Sequence, residues 1–450
     1  MRAKGTRLLV LSGALVAAVS TWPGTATGAA PESTGDPTVA LGRRLFLREW
    51  TPDDPRARGG DGLGPLFNER SCVACHGLGG PGGGGPNGKN VELLTAVPLV
   101  VEKGKKTDRS SLATLHPGLA EAGGIVLHRF GLSPVYATWR SNAIHFGQGP
   151  APVVEASDKP APPKFRMVVS KRNAPALFGA GRIDAIPDKA IEAEARRQAG
   201  ASGANGRVSR LKDGRIGRFG WKAQMPGLDE FVLTACANEL GLEVPGHHQV
   251  GDPYGFGDRS PAGLDMSEDD CRAMVAYVRG LPSPIERPLE FAEAGRIVFD
   301  RVGCAECHRP SLGGVKGLYS DLLLHDMGAG LSDDGLSYGP REDSSPGVPK
   351  GQEWRTPPLW GIVGSGPYLH DGRARTITDA IHAHAGQAAA STAAFRALSS
   401  RHKVEALAFL RSLRAPLASQ LGPGDLTRRE RLLDDAETSV AVEGDRLIGR

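Results

Sequence analysis

Apolar residues gather in one run near the start of the chain and are otherwise spread through short amphipathic stretches. Residues 1–7 are basic, residues 8–20 carry the apolar run, and Ala26-Thr27-Gly28-Ala29-Ala30 follows. That order predicts a secretory signal peptide over about residues 1–30, because the run is too short and poorly flanked for a membrane span. No later stretch reaches the length a span needs, and no cysteine sits at the cleavage region to carry a lipid. The expectation is a soluble exported protein, periplasmic or similar, without stable membrane insertion. Further on, Gly42-Arg43-Arg44-Leu45-Phe46 and Gly295-Arg296-Ile297-Val298-Phe299 read as two related helices. Ala276-Tyr277-Val278-Arg279-Gly280-Leu281-Pro282 and Ala408-Phe409-Leu410-Arg411-Ser412-Leu413-Arg414-Ala415-Pro416 read as amphipathic helix ends stopped by proline. Arg172-Asn173-Ala174-Pro175 and Arg355-Thr356-Pro357-Pro358 are predicted to be extended, since a residue before proline is pushed out of the helical region.

Between these paired signals lie Cys72-Val73-Ala74-Cys75-His76 and Cys304-Ala305-Glu306-Cys307-His308. Two cysteines three positions apart can add across the vinyl groups of one haem, and the histidine that follows then ligates its iron. The same spacing could supply half of a zinc site or a thiol redox motif, but two complete copies in an exported chain favour covalent haem. Landmarks recurring in one order imply an internal duplication. The expected fold is mainly α, with two cytochrome-c-like domains in tandem, each enclosing one c-type haem, with long irregular loops. The predicted boundaries are 31–286, enlarged by insertions, then 287–418, then a charged tail at 419–450.

Composition supports this picture, since 61 Gly and 34 Pro in 450 residues imply many turns between short elements. The formal net charge of +4, with both signs interleaved, excludes a nucleic-acid binder of the usual basic kind. Residues 103–106 form the one basic cluster. Three loops are expected, at 77–88, 149–163 and 200–220; the first lacks the Gly-Lys-Ser/Thr ending of a phosphate cradle. Cys236 and Cys271 remain, and in an oxidising compartment they pair most simply as a disulfide, with a thiol-active pair as the alternative.

On Asp61-Gly62-Leu63-Gly64-Pro65-Leu66-Phe67-Asn68, residues 172–184, residues 321–328 and Gly366-Pro367-Tyr368-Leu369-His370-Asp371-Gly372-Arg373-Ala374, the chain resembles the bacterial di-haem cytochrome c peroxidases and the methylamine-utilisation di-haem enzyme. More closely, it resembles the di-haem oxidoreductase family sometimes labelled thiol oxidoreductases. The resemblance implies reduction of hydrogen peroxide or another small oxidant, with electrons from a small donor protein, a cytochrome c or cupredoxin. It implies His384 as sixth ligand of the C-terminal haem, with Met327 and His325 next in line. For the N-terminal haem it implies a distal histidine among His116, His128 and His145, of which His128 and His145 fit better because aromatic and glycine residues follow them. Glu239, in Asn238-Glu239-Leu240-Gly241, takes the place of the relatives' proton carrier, and Asn173, Thr356 and Pro358 that of their calcium ligands. One departure stands out: Asp184-Ala185-Ile186-Pro187 occupies the segment where the relatives carry a tryptophan between the haems, leaving Trp221 as a substitute. The rival functions are a di-haem electron carrier and a thiol-directed oxidoreductase using Cys236 and Cys271.

Overall fold

The computed structural model describes residues 36–99, 107–146, 165–200, 203–252, 263–333 and 349–421. The expected signal segment, the basic cluster at 103–106, the loop at 149–163 and residues 422–450 of the tail lie outside the described residues. Within them helices outweigh strands, and no helix is long and apolar enough to cross a membrane.

The helix pair Pro37–Leu47 and Glu268–Arg279 is repeated by Ala292–Arg301 and Ser400–Ser412. The first helix of each pair buries residues at i, i+3 and i+4, namely Gly42, Leu45 and Phe46 in one and Gly295, Val298 and Phe299 in the other. The glycine is needed at the crossing. A Cβ on Gly42 would overlap the Ala273 carbonyl oxygen, and one on Gly295 the Glu405 carbonyl oxygen. One turn later Phe46 packs on Tyr277 with ring centroids 5.2 Å apart, and Phe299 on Phe409 at 5.1 Å. The helix ends are set locally. Asp36 caps the first helix ahead of Pro37, and Ser267 with Asp270 forms a capping box on its partner.

The two halves share one core, in which Leu45, Trp50 and Met274 belong with Leu318, Leu323 and Trp360. Ile285–Glu286 pairs antiparallel with Leu413–Arg414, so the connection between the helix pairs is tied to the end of the second. The first half also holds an element outside the expected pattern. Val91–Pro98 is the centre of a three-stranded antiparallel sheet with Gly124–Val126 and Phe165–Arg172. Its satellite core is built from Leu94, Ala96, Leu112, Leu119, Phe165 and Met167. The inserted sequence between the first haem motif and Arg172 is therefore partly folded structure.

Candidate functional site

The Cys-x-x-Cys-His segments each form about one turn of helix, Cys72–Cys75 and Cys304–Glu306, and each faces a cavity. Phe46 and Phe299 flank the following histidine at matching centroid distances, 6.5 Å from His76 and 6.4 Å from His308. Nδ1 of His76 points at the carbonyls of Pro175, 3.1 Å away, and Gly83, 3.3 Å away; Nδ1 of His308 points at the carbonyl of Tyr319 at 3.0 Å. A carbonyl can only accept, so Nδ1 carries the proton and Nε2 keeps its lone pair, the form that binds iron. Burial holds both rings neutral by lowering their pKa to about 4. The glycine-rich loop at 77–88 forms part of this proximal side: Gly82 N–H donates to the His76 carbonyl at 2.9 Å, and Gly83 has no room for a Cβ against Leu78.

His384 lines the second cavity together with His308, Cys304 and Cys307. It stands at the C-terminal end of the Ile377–Ala383 helix, which starts with a capping box between Thr376 and Asp379. Its Nδ1 donates to the Ala380 carbonyl at 2.6 Å and its own carbonyl accepts from Thr392 Oγ1 at 2.9 Å, so ring and backbone are both held. Burial lowers its pKa as well. It thus repeats the Nδ1 arrangement of His76 and His308. Met327 also lines this cavity. His325 does too, but its two nitrogens are taken, Nε2 by Asp321 at 2.8 Å and Nδ1 by Gln387 at 2.8 Å. Burial opposes charge on His325, yet its hydrogen bonds to the carboxylate of Asp321 and to Cys307 raise its pKa to about 11, so in this structure both ring nitrogens are engaged by neighbouring side chains.

The first cavity is lined by Cys72, Cys75 and His76, and by Cys236 and Glu239 on the facing Leu228–Leu240 helix. Gly241, at φ 63, ends that helix one residue beyond Leu240. Asn68, from the Asp61–Asn68 stretch, fixes the end: its backbone N–H donates to the Glu239 carbonyl at 2.7 Å and its Nδ2 to Glu239 Oε2 at 2.7 Å. Arg129 N–H then holds Asn68 Oδ1 at 2.9 Å. Glu239 is therefore a carboxylate at a cavity wall, positioned through a second residue. The two cavities share a wall that includes Asn173, Pro175, Leu177, Phe231 and Trp221. Trp221 is pinned there by its Nε1, which donates to the Asn173 carbonyl at 2.8 Å.

Several expectations change on the structure. None of the three distal-histidine candidates lines the first cavity, where His76 is the only lining histidine among the described residues. His128 is buried with Nε2 on the Asn238 carbonyl at 2.8 Å, serving the helix that carries Glu239. His145 is exposed at the end of the Pro134–Phe146 helix, and His116 caps the Pro117–Ala122 helix. His128 and His145 followed the right local pattern, but the strands and helices between the haem motif and Arg172 carry them away from the site. Cys236 and Cys271 sit in one core on facing helices yet are free thiols. Burial raises the pKa of both, that of Cys271 to about 12, so neither is a ready nucleophile. Asn173, Thr356 and Pro358 line one cavity wall, where their polar groups are partly engaged within the protein. The Asn173 amide donates to Gly85 and Asn90, and the Thr356 carbonyl accepts from Ser320 Oγ at 2.7 Å with the Arg355 guanidinium 3.4 Å away.

The donor set of each cavity suits a haem, two thiols to bind its edge and one imidazole lone pair for its iron. The second cavity, about 560 Å³, falls in the range of roughly 300–1,000 Å³ typical of cofactor pockets. The first is tighter, about 130 Å³, so a haem there requires its lining to rearrange. Residues 164–413, more than half the chain, match the family model described as "Di-haem oxidoreductase, putative peroxidase". The chain belongs to the di-haem oxidoreductase family. Among curated proteins it is 31% identical over 139 residues to hydrazine synthase subunit gamma of Kuenenia stuttgartiensis, a match covering 24% of this chain and 39% of that one. Among solved structures it is similar to Kuenenia stuttgartiensis hydrazine synthase, with 21% identity over 54% of this chain and 73% of the other and a TM-score of 0.31. A MauG-like protein associated with microbial copper homeostasis shows 16% identity, 54% and 92% coverage and a TM-score of 0.29.

Proposed function

We propose that this chain is an exported peroxidase-type enzyme, with covalent haem c in two tandem cytochrome-c-like domains, 31–286 and 287–418. The observation that carries this reading is the asymmetry of the cavities: among the histidines lining the second, His308 and His384 each turn Nδ1 to a backbone carbonyl and keep Nε2 for a metal, while the first presents His76 and, beside it, the carboxylate of Glu239. Two imidazoles suit electron transfer, and one imidazole leaves a face of the iron for a small oxidant. Haem, when bound, supplies the one-electron chemistry and the place where a peroxide O–O bond can break. The balance is one hydrogen peroxide, two electrons and two protons giving two waters, with the electrons supplied by a small donor protein such as a cytochrome c or cupredoxin.

The chain's own residues divide the remaining work. Glu239 takes a proton from the nearer peroxide oxygen and gives it to the leaving one, and Asn68 keeps it aimed into the cavity. Trp221, lining both cavities, stands where electrons pass between them. His384 closes the second site to the oxidant. The test is to mix the fully reduced holoprotein with hydrogen peroxide and follow both haem spectra by stopped flow. Rapid oxidation with turnover in the presence of donor is expected. A protein that takes and gives electrons but ignores peroxide would be an electron carrier instead.

A further inference from the structure

Two arginines stand at matching places in the duplicated pattern, Arg172 before Asn173-Ala174-Pro175 and Arg355 before Thr356-Pro357-Pro358. Both are buried, at 5% and 6% exposure, and each lines a cavity. Their surroundings differ. Arg172 forms an ion pair with the equally buried Asp333. Arg355 touches only neutral acceptors: its Nε donates to the Gly220 carbonyl at 2.8 Å and one terminal nitrogen reaches the Thr356 carbonyl at 3.4 Å. The carboxylate whose charge acts on it, Asp321, is already occupied by His325, Gln198 Nε2 and the Leu323 N–H. Arg218 and Lys222 are also buried here, but Arg218 pairs with Asp188, while Lys222 donates to the Lys350, Gly351 and Glu353 carbonyls and lies over Trp354. A guanidinium has five donors in a fixed fork shaped for a carboxylate, and burying one without a counter-charge is costly.

We propose that Arg355 is an anchor for a carboxylate that enters the second cavity with its occupant, and that this carboxylate is a propionate of the haem attached at Cys304 and Cys307. The inference rests on the di-haem reading and adds the orientation of that haem. The Arg355 backbone N–H donates to the Trp221 carbonyl at 2.9 Å, so the anchored edge faces the wall shared by the two cavities. Arg355 is thus a positioning residue: it places the charged edge of one cofactor beside the tryptophan that also lines the other cavity.

The same carboxylate chemistry could come from a small free acid, and the test separates the two. In the full-length holoprotein, Arg355→Gln and Arg355→Lys are compared with the unaltered chain for covalent haem content, resonance Raman spectrum and midpoint potential of the haem held by Cys304. Arg355→Gln should shift the propionate bending vibration and lower the potential, because a cation beside the haem disfavours its oxidised, more positive form. Arg355→Lys should restore most of the potential. Acetate added to the unaltered protein should change neither reading. The proposal is overturned if Arg355→Gln keeps both haems with vibration and potential unmoved, or if acetate binds saturably to the unaltered protein but not to the variant. A chain with no haem at Cys304 overturns the di-haem reading itself, a result distinct from a haem present and indifferent to Arg355.

Discussion

The two halves start from the same parts and end in different electrostatic settings. Each has a glycine-mediated helix crossing, a phenylalanine beside the proximal histidine and a backbone carbonyl on that histidine's Nδ1. In the second half a short capped helix brings a second imidazole, His384, into the cavity. In the first half the facing helix brings Glu239 and Cys236, while of the insertion's histidines His128 bonds the backbone of that helix and His116 caps a helix of the insertion. On the proposed reading, one duplicated scaffold holds one group closed and another open. What distinguishes them is the side chain that the wall opposite the motif presents.

The largest effect expected is loss of a cofactor. Cys72→Ala should remove one of two haems that survive denaturation, and Cys304→Ala the other, as measured by mass and by haemochrome absorbance on the unfolded chain. Cys72→Ala should also abolish peroxide turnover. A variant that retains both covalent haems refutes the attachment assignment for its half. Next comes Glu239→Gln, which keeps shape and hydrogen bonding to Asn68 while removing the proton carrier. Peroxide turnover should fall by about 100- to 10,000-fold, with haem content and both potentials little changed. If instead turnover per intact haem is preserved and loading drops, Glu239 is structural.

The glycine crossings test whether the halves are equivalent as scaffolds. Gly42→Ala and Gly295→Ala each place a methyl group against a backbone carbonyl, Ala273 or Glu405, that cannot rotate away. Overpacking of this kind costs roughly 1–3 kcal/mol, and thermal unfolding should show both variants destabilised by comparable amounts. A neutral result at either position shows that the helix pair there is not closely packed.

The repeat, the haem motifs and the helix pairs were legible in the sequence because each rests on local chemistry: adjacent ligands, periodic apolar positions and proline stops. His384 was reachable by ungapped counting from Pro367, since a tight turn and a short helix leave no room for drift, and the structure does place it in the second cavity. The first half resisted the same approach. Phe165–Arg172 carries a partial alternation of buried and exposed positions that marks a strand, but its partner Val91–Pro98 lies some seventy residues earlier, and such pairing has no local signature. With that sheet unseen, His128 and His145 looked available for the haem. Cys236 and Cys271 looked like a disulfide because compartment and count suggest one, whereas helix packing leaves them as buried thiols. Asn68 as the support of Glu239, and the lack of a carboxylate on Arg355, are contacts across long sequence distances that no spacing rule reveals.

The smallest change expected is electronic and confined to the second half. His384→Met keeps a donor at the end of the same helix but replaces imidazole with thioether, which favours the reduced iron and raises the potential of a haem. The variant should therefore show a higher midpoint potential for the haem held by Cys304 and a thioether-to-iron charge-transfer band, with the other haem and the thermal stability unchanged. Stability is a fair control because the ring's visible tie to the protein is a single hydrogen bond from Nδ1 to Ala380, while the helix is set by Thr376 and Asp379 and its end by Thr392. Met327→Leu is the paired measurement, since Met327 lines the same cavity with a thioether of its own. If His384→Met leaves spectrum and potential where they were and Met327→Leu moves them, the closed site is a His-Met one, and the contrast between the halves then rests on the loop of Met327 in place of the capped helix.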